Sequence, residues 1–229
     1  MKDPYILSNG ILKNKLGIKN EKELNLAEKD IVFSKLINVE DIEDLEYNNE
    51  ILKQIHTHLF GDIFDWAGRY RTVPIYKEEI VLPGLSLEYS APNEIERKIN
   101  QKLEQINSCE WNNKNIKEIS LQFTKTLAEL WRIHPFRDGN TRTILTFANI
   151  FAKNKGINFD ISTILENLTR KYDKQTNKIV QYSVRDKFVL AALDDRDCPE
   201  YEHLQLIIKQ AIETKDENKK NNILEGEDR

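Results

Sequence analysis

Apolar residues recur at helical spacing along most of the chain. Ile116, Ile119, Phe123, Leu127 and Leu130 lie at steps of 3, 4, 4 and 3, and His134 follows four residues later. That spacing predicts a helix over 116–134 with His134 closing its apolar face. The stretch 141–155 (Ile144, Leu145, Phe147, Ala148, Ile150, Phe151) is apolar nearly all round, as a helix in the middle of a bundle is. Gly156 is placed to terminate it. Earlier, 22–39 and 41–60 read as helices, the second with Ile42, Leu45, Ile51, Leu52, Ile55 and Leu59 as its stripe. Residues 61–68 form a compact aromatic turn. Further helices are expected at 93–106, 160–172, 181–194 and 199–214.

One segment breaks this pattern. Three of the six prolines (Pro74, Pro83, Pro92) fall within 74–92, and Arg71–Tyr76 and Ile80–Leu82 flank Lys77-Glu78-Glu79. The expectation there is a small hairpin at a sheet edge, because proline donates nothing to a ladder. The fold class is therefore all-α, a helical bundle with one β-hairpin. No repeat is present. The reading is one domain over 1–214, with its core at about 41–195, and a charged, disordered tail over 215–229.

Composition narrows the function classes. The 229 residues carry 34 Lys+Arg against 38 Asp+Glu, a net charge of −4, which argues against nucleic-acid or anionic-membrane partners. Only Cys109 and Cys198 occur, far apart, so neither a disulfide scaffold nor a zinc ribbon is expected. The longest run without charge is the ten residues Thr143–Ala152, and a membrane span needs about 20. The N-terminus lacks a signal peptide's apolar core. A cytoplasmic protein is the expectation, and the Lys, Asn and Ile bias fits an AT-rich bacterial genome.

The candidate chemistry lies between the two best helices, in His134-Pro135-Phe136-Arg137-Asp138-Gly139-Asn140-Thr141-Arg142. Gly139 can take backbone angles that other residues avoid, and it leads into the N-terminus of a buried helix, where unpaired N–H groups favour an anion. Asn140 adds a donor, and Arg142 adds a cation suited to phosphate. Asp138 is a hard oxygen ligand suited to Mg²⁺ beside phosphates. His134 is a proton acceptor that works near neutral pH. By contrast, His56-Thr57-His58 is no metal pair, since residues two apart on a helix face different ways. His203, Trp66 and Trp111 read as surface or packing.

The loop resembles the signature of the Fic family, H-x-F-x-[D/E]-G-N-G-R-x-x-R, in five side chains and the glycine. Gly61-Asp62-Ile63-Phe64-Asp65-Trp66-Ala67-Gly68-Arg69 with Arg71-Thr72-Val73 is similar to the family's turn into its hairpin flap, and the likeness spans about 10–212. The resemblance implies transfer of AMP from ATP to a Ser, Thr or Tyr hydroxyl of a protein, the chain itself included. His134 would be the general base and Asp138 the Mg²⁺ ligand. Gly139, Asn140, Thr141 and Arg142 would bind phosphate, and Phe136 would anchor the loop. The flap (about 72–83) would dock the target through Thr72, Val73, Pro74 and Ile75, with Tyr76 and Lys77 over the nucleotide.

Two departures stand out. Thr141 replaces the family's second Gly and Leu145 its second Arg, so the grip on γ-phosphate should weaken and a self-inhibiting glutamate loses its partner. Glu166 and Glu225 sit in stretches similar to the family's inhibitory motif, and the expectation is that neither inhibits. Two alternatives remain: another nucleotide donor on the same fold, or a non-catalytic module binding nucleotide or protein. An antitoxin or a second copy of the chain is a further possible partner.

Overall fold

The computed structural model describes residues 3–37, 48, 50–82, 86–111, 114–193 and 201–212. Helices dominate: α1 (Glu21–Ile37), α2 (Ile51–Phe60), α3 (Ile95–Ser108), α4 (Ile116–Ile133), α5 (Asn140–Asn154), α6 (Ile161–Leu165) and α7 (Val184–Ala191). Residues 202–212 form α8. Strands β1 (Lys171–Tyr172) and β2 (Ile179–Gln181) pair antiparallel, Lys171 opposite Gln181. The chain forms two compact units. The first takes Met1–Ile75, Tyr89–Asn107 and Ile133–Phe147, the second Tyr76–Glu88, Ser108–Arg132 and Ala148–Arg229.

The first unit is built on α2. Its Ile51, Leu52, Ile55, His56, Leu59 and Phe60 are all fully buried. Each such aliphatic or aromatic side chain contributes about 1.5–3 kcal/mol by leaving water. The helix α1 starts where the Asn20 side chain accepts the N–H groups of Lys22 and Glu23. The α3 stripe of Ile95, Ile99, Leu103 and Ile106 is buried. The aromatic turn forms as expected, Phe64 stacking on Trp66 at 4.4 Å. Tyr5 meets the Trp66 ring edge-on at 5.6 Å.

In the second unit α4 opens with a reciprocal cap: the Asn115 side chain accepts the Glu118 N–H, and the Glu118 carboxylate accepts the Asn115 N–H, both at 3.0 Å. Phe123, Phe151, Phe159 and Trp111 cluster in the core, with ring centroids 5.2–5.9 Å apart. Ser183 and Asp186 cap α7 in the same reciprocal way, and Arg170 grips the buried Asp186 carboxylate with two bonds of 2.5 and 2.6 Å.

The expected hairpin over 71–83 does not form among the described residues. Residues 74–79 form neither helix nor strand. Pro74 has no N–H to offer, Glu79 is drawn inward by two bonds from Arg185 at 2.5 and 2.7 Å, and the Lys77 carbonyl takes the Ser86 hydroxyl instead of a strand partner. The ladder lies at 171–181. The helix expected over 160–172 is cut to Ile161–Leu165. Asn167 ends it by bonding back to the Thr163 carbonyl while its own carbonyl takes the Val184 N–H. Residues 41–47 of the expected second helix and the 215–229 tail lie outside the described residues. No described helix is long and apolar enough to cross a membrane.

Candidate active site

The candidate loop lies in the first unit. At the end of α4, His134 turns the chain with φ +52°, a left-handed conformation costing a non-glycine residue roughly 1–2 kcal/mol. Arg71 holds that turn. Its Nε donates to the His134 carbonyl and its backbone N–H to the Pro135 carbonyl, both at 2.9 Å. The same guanidinium donates to the Val73 carbonyl at 2.9 Å and to the Ser90 carbonyl. Arg71 is only 2% exposed, and desolvation lowers its pKa. The His134 ring is buried and stacks on Tyr89 at 4.1 Å.

His56 holds the other end of the loop. Its Nδ1 accepts the Gly68 N–H at 3.0 Å. That bond assigns the proton to Nε2, which therefore donates to the Asp138 carbonyl at 3.1 Å. Burial pushes the His56 pKa down to about 4, only partly countered by the Asp138 carbonyl and carboxylate, so the ring is neutral. Phe136 stacks on it at 3.9 Å, fully buried, anchoring the loop as expected. Tyr70 lies 5.6 Å from Phe136, and its hydroxyl pKa is raised by burial and by Glu50 and Glu96.

Gly139 has φ +76°, and a Cβ there would lie 2.5 Å from two atoms of the Phe60 ring. Glycine is required on both counts. Its carbonyl takes the Thr143 N–H and hydroxyl, each at 3.0 Å, as α5 starts. Asn140 departs from expectation. Its Oδ1 accepts the Phe136 N–H and its Nδ2 donates to the Phe136 carbonyl, both at 2.9 Å. The side chain is 3% exposed and shapes the loop from inside.

The charges sit at the loop's mouth. The Asp138 side chain is one-third exposed and lies 3.8 Å from Arg142. The Arg142 guanidinium lies over the Phe60 ring at 4.7 Å and pairs with Glu28 of α1. The expected phosphate ligand thus already holds a carboxylate. Thr141 is half-buried in the first turn of α5, and Leu145, in the family's second Arg position, is buried in the core. Among the described residues no group of three or more His, Cys, Asp or Glu gathers as a metal cage.

The remaining predicted residues divide. Thr72–Ile75 belong to the first unit, but the Thr72 N–H donates to the Tyr5 hydroxyl and the Val73 carbonyl takes Arg71. Those groups are engaged, so a docking edge would begin at Pro74. Tyr76, 75% exposed, and Lys77 belong to the second unit. Glu166, exposed, caps the end of α6 in that unit, and Glu225 is outside the described residues. His58 Nε2 donates to the Lys35 carbonyl at 3.1 Å, whereas His56 bonds to Asp138 and Gly68.

Sequence reasoning gave no site role to four residues: His56, Arg71, Tyr89 and Glu28. Glu28 carried a signal, since it stands four residues from both Leu24 and Val32 and interrupts the buried stripe of α1. Arg71 and His56 sat inside or beside the quoted motifs. Tyr89 gave no signal, because its partner is 45 residues away in sequence.

A mostly helical fold with the loop His134–Gly139 joining α4 to α5 in sequence sets the frame for comparison. Residues 46–152 match the Fic/DOC family. It is 30% identical over 161 residues to Protein adenylyltransferase VbhT of Bartonella schoenbuchensis, covering 69% of this chain and 32% of that protein. It is 28% identical to Probable protein adenylyltransferase y4lH of Sinorhizobium fredii, covering 67% of this chain and 77% of that one. The chain thus spans about a third of the length of the first of these relatives. Its fold matches the N-terminal Fic domain of a Bartonella quintana effector protein solved with bound ADP, with TM-score 0.70, 19% identity, and 90% and 93% of the two chains covered.

Proposed function

We propose that the chain is a protein adenylyltransferase, moving AMP from ATP to a hydroxyl of a protein target. The observation that carries the reading is the loop itself: His134 and Gly139, both at positive φ, bracket a turn that opens directly into the N-terminus of α5. The names of the relatives and the ADP-bound neighbour support a nucleotide as co-substrate.

In this reading the phosphates lie at the start of α5, where the Gly139, Asn140 and Thr141 backbone N–H groups and the helix dipole oppose their charge. Arg142 joins them after exchanging Glu28 for phosphate. An imidazole nitrogen of His134 takes the proton from the attacking hydroxyl. The hydroxyl oxygen bonds to the α-phosphorus, the bond from that phosphorus to the bridging oxygen breaks, and pyrophosphate leaves. Positioning and charge neutralisation are the main demands of such a transfer.

Mg²⁺ fits the donor set. It takes one or two carboxylates and completes its shell with water and phosphate oxygens, which a single partly exposed Asp138 allows. When bound, it neutralises charge on the phosphates. The target would add a strand from Pro74 onward, by main-chain hydrogen bonds with little demand on sequence.

The test is intact mass after incubation with Mg²⁺ and each nucleoside triphosphate separately, followed by lysate with labelled ATP. Labelling from ATP alone, lost in His134→Ala, is the expected result. Labelling from another nucleotide changes the donor, and no labelling of chain or lysate overturns the reading.

A further inference from the structure

The mechanism makes no use of the most buried titratable group near the loop. His56 is fully buried, yet it does more than fill space, because both of its ring nitrogens meet main-chain groups of different segments. We infer that His56 is a positioning residue for nucleotide binding: it sets the plane of the Asp138–Gly139 peptide so that the Gly139 N–H points out of the core toward the phosphates. This rests on the proposed nucleotide site.

The argument is geometric. No described peptide bond is cis. In a trans peptide the C=O and the N–H point in opposite directions. The Asp138 carbonyl points inward to Nε2 of His56 at 3.1 Å, so the Gly139 N–H points the other way. Gly139, lacking a Cβ, limits the plane of this peptide less than another residue would, so the bond to His56 bears on its orientation. The ring in turn cannot choose its tautomer freely. Gly68, with φ +74°, lies so close to α2 that a Cβ would meet Thr57 Oγ1 at 2.0 Å. That approach lets its N–H reach Nδ1 and leaves the proton on Nε2. Phe136, stacked on it at 3.9 Å, and the tilted Phe60 ring at 4.7 Å keep the ring from rotating. A neutral ring also donates this bond without adding positive charge beneath the site.

Two substitutions separate the two bonds. The amide nitrogen of His56→Gln falls at Nε2 and keeps the donor to Asp138. The amide oxygen of His56→Asn falls at Nδ1 and keeps the acceptor for Gly68. Both lose the ring and its packing. The expected result is an ADP affinity within about threefold of the unsubstituted chain for Gln and weaker by about tenfold or more for Asn. Equal losses, or the reverse order, overturn the inference.

If either variant fails to fold, the ¹⁵N-labelled unsubstituted chain decides. On adding ADP with Mg²⁺ the Gly139 amide proton should move downfield, as an N–H does on meeting a phosphate oxygen. ADP binding that leaves this amide unmoved overturns the role of His56 and leaves the nucleotide site standing. Absence of ADP binding overturns both.

Discussion

Gly139→Ala tests whether the loop depends on its closest approach to the core. The new methyl meets two costs. At φ +76° an alanine is in the left-handed region, worth roughly 1–2 kcal/mol. Its Cβ would also lie 2.5 Å from Cε2 and Cζ of Phe60. That ring has no room to retreat, being fully buried with His56 at 4.7 Å, Phe64 at 6.3 Å and Arg142 over its face. Overpacking of this kind costs roughly 1–3 kcal/mol. The total, roughly 2–5 kcal/mol, is a large part of the 5–15 kcal/mol typical of a folded domain. Gly156→Ala is the control. Its φ of +67° brings the same strain, and nothing lies within 4 Å of its Cβ. Urea unfolding at 25 °C should place Gly139→Ala below Gly156→Ala by at least about 1 kcal/mol, with equal m-values. Adding Phe60→Leu should be less than additive with Gly139→Ala, because it removes the obstructing ring atoms. Equal destabilisation by the two alanines would refute the clash, and full additivity would place it elsewhere than Phe60.

Three further outcomes follow from the site. The His56 pKa is depressed from 6.5 to about 4, so the unfolded chain binds a proton between these values and the folded chain does not. The contribution is complete above about pH 7 and lost as pH falls toward 4, up to about 3 kcal/mol, and His56→Gln should flatten a urea-midpoint series over that range. A slope unchanged in that variant contradicts the assignment. Glu28→Gln frees Arg142 for phosphate and should tighten ADP binding about threefold to tenfold by calorimetry, whereas unchanged affinity would mean Arg142 does not reach the nucleotide. Arg71→Lys loses the guanidinium fork that holds the His134 carbonyl, so the transfer rate should fall about tenfold or more while the ADP affinity stays within about twofold. A matching loss in both would assign Arg71 to the fold alone.

The helices were legible because burial on one face imposes a period. The stripe Ile51, Leu52, Ile55 and Leu59 and the apolar α5 are buried as their spacing predicts. The site loop was legible because its residue types are contiguous. Three features were not. The 71–83 segment has strand composition, but what it pairs with depends on Glu79 reaching Arg185, 106 residues away. The end of α6 is set by Asn167, whose side chain bonds to Thr163 and Gln181, a tertiary choice that propensity does not contain. From sequence, Asn140 points to contact with phosphate because an amide beside a glycine offers a donor. Its partner is Phe136, four residues back, and burial decides which way it faces.

The same bonds explain why a strained loop holds its shape. Two residues at positive φ within six positions would relax if nothing opposed them. Here the carbonyl of His134 takes Arg71, that of Phe136 takes Asn140, that of Asp138 takes His56 and that of Gly139 takes Thr143. Each of these partners is buried. After Phe136, Asp138 and Gly139 a carbonyl held on the inside turns the following N–H the other way, whereas Pro135, after His134, has none to offer, so in the proposed site three donors are arranged before any ligand arrives, the condition under which fixed dipoles act most strongly. The side chains that carry formal charge are held differently. Asp138 and Arg142 are only about one-third and one-quarter exposed, and Arg142 has a carboxylate to release. On the proposed reading, reorganisation on binding is confined to one ion-pair exchange at the mouth of the loop, and Glu28 is the residue that sets its cost.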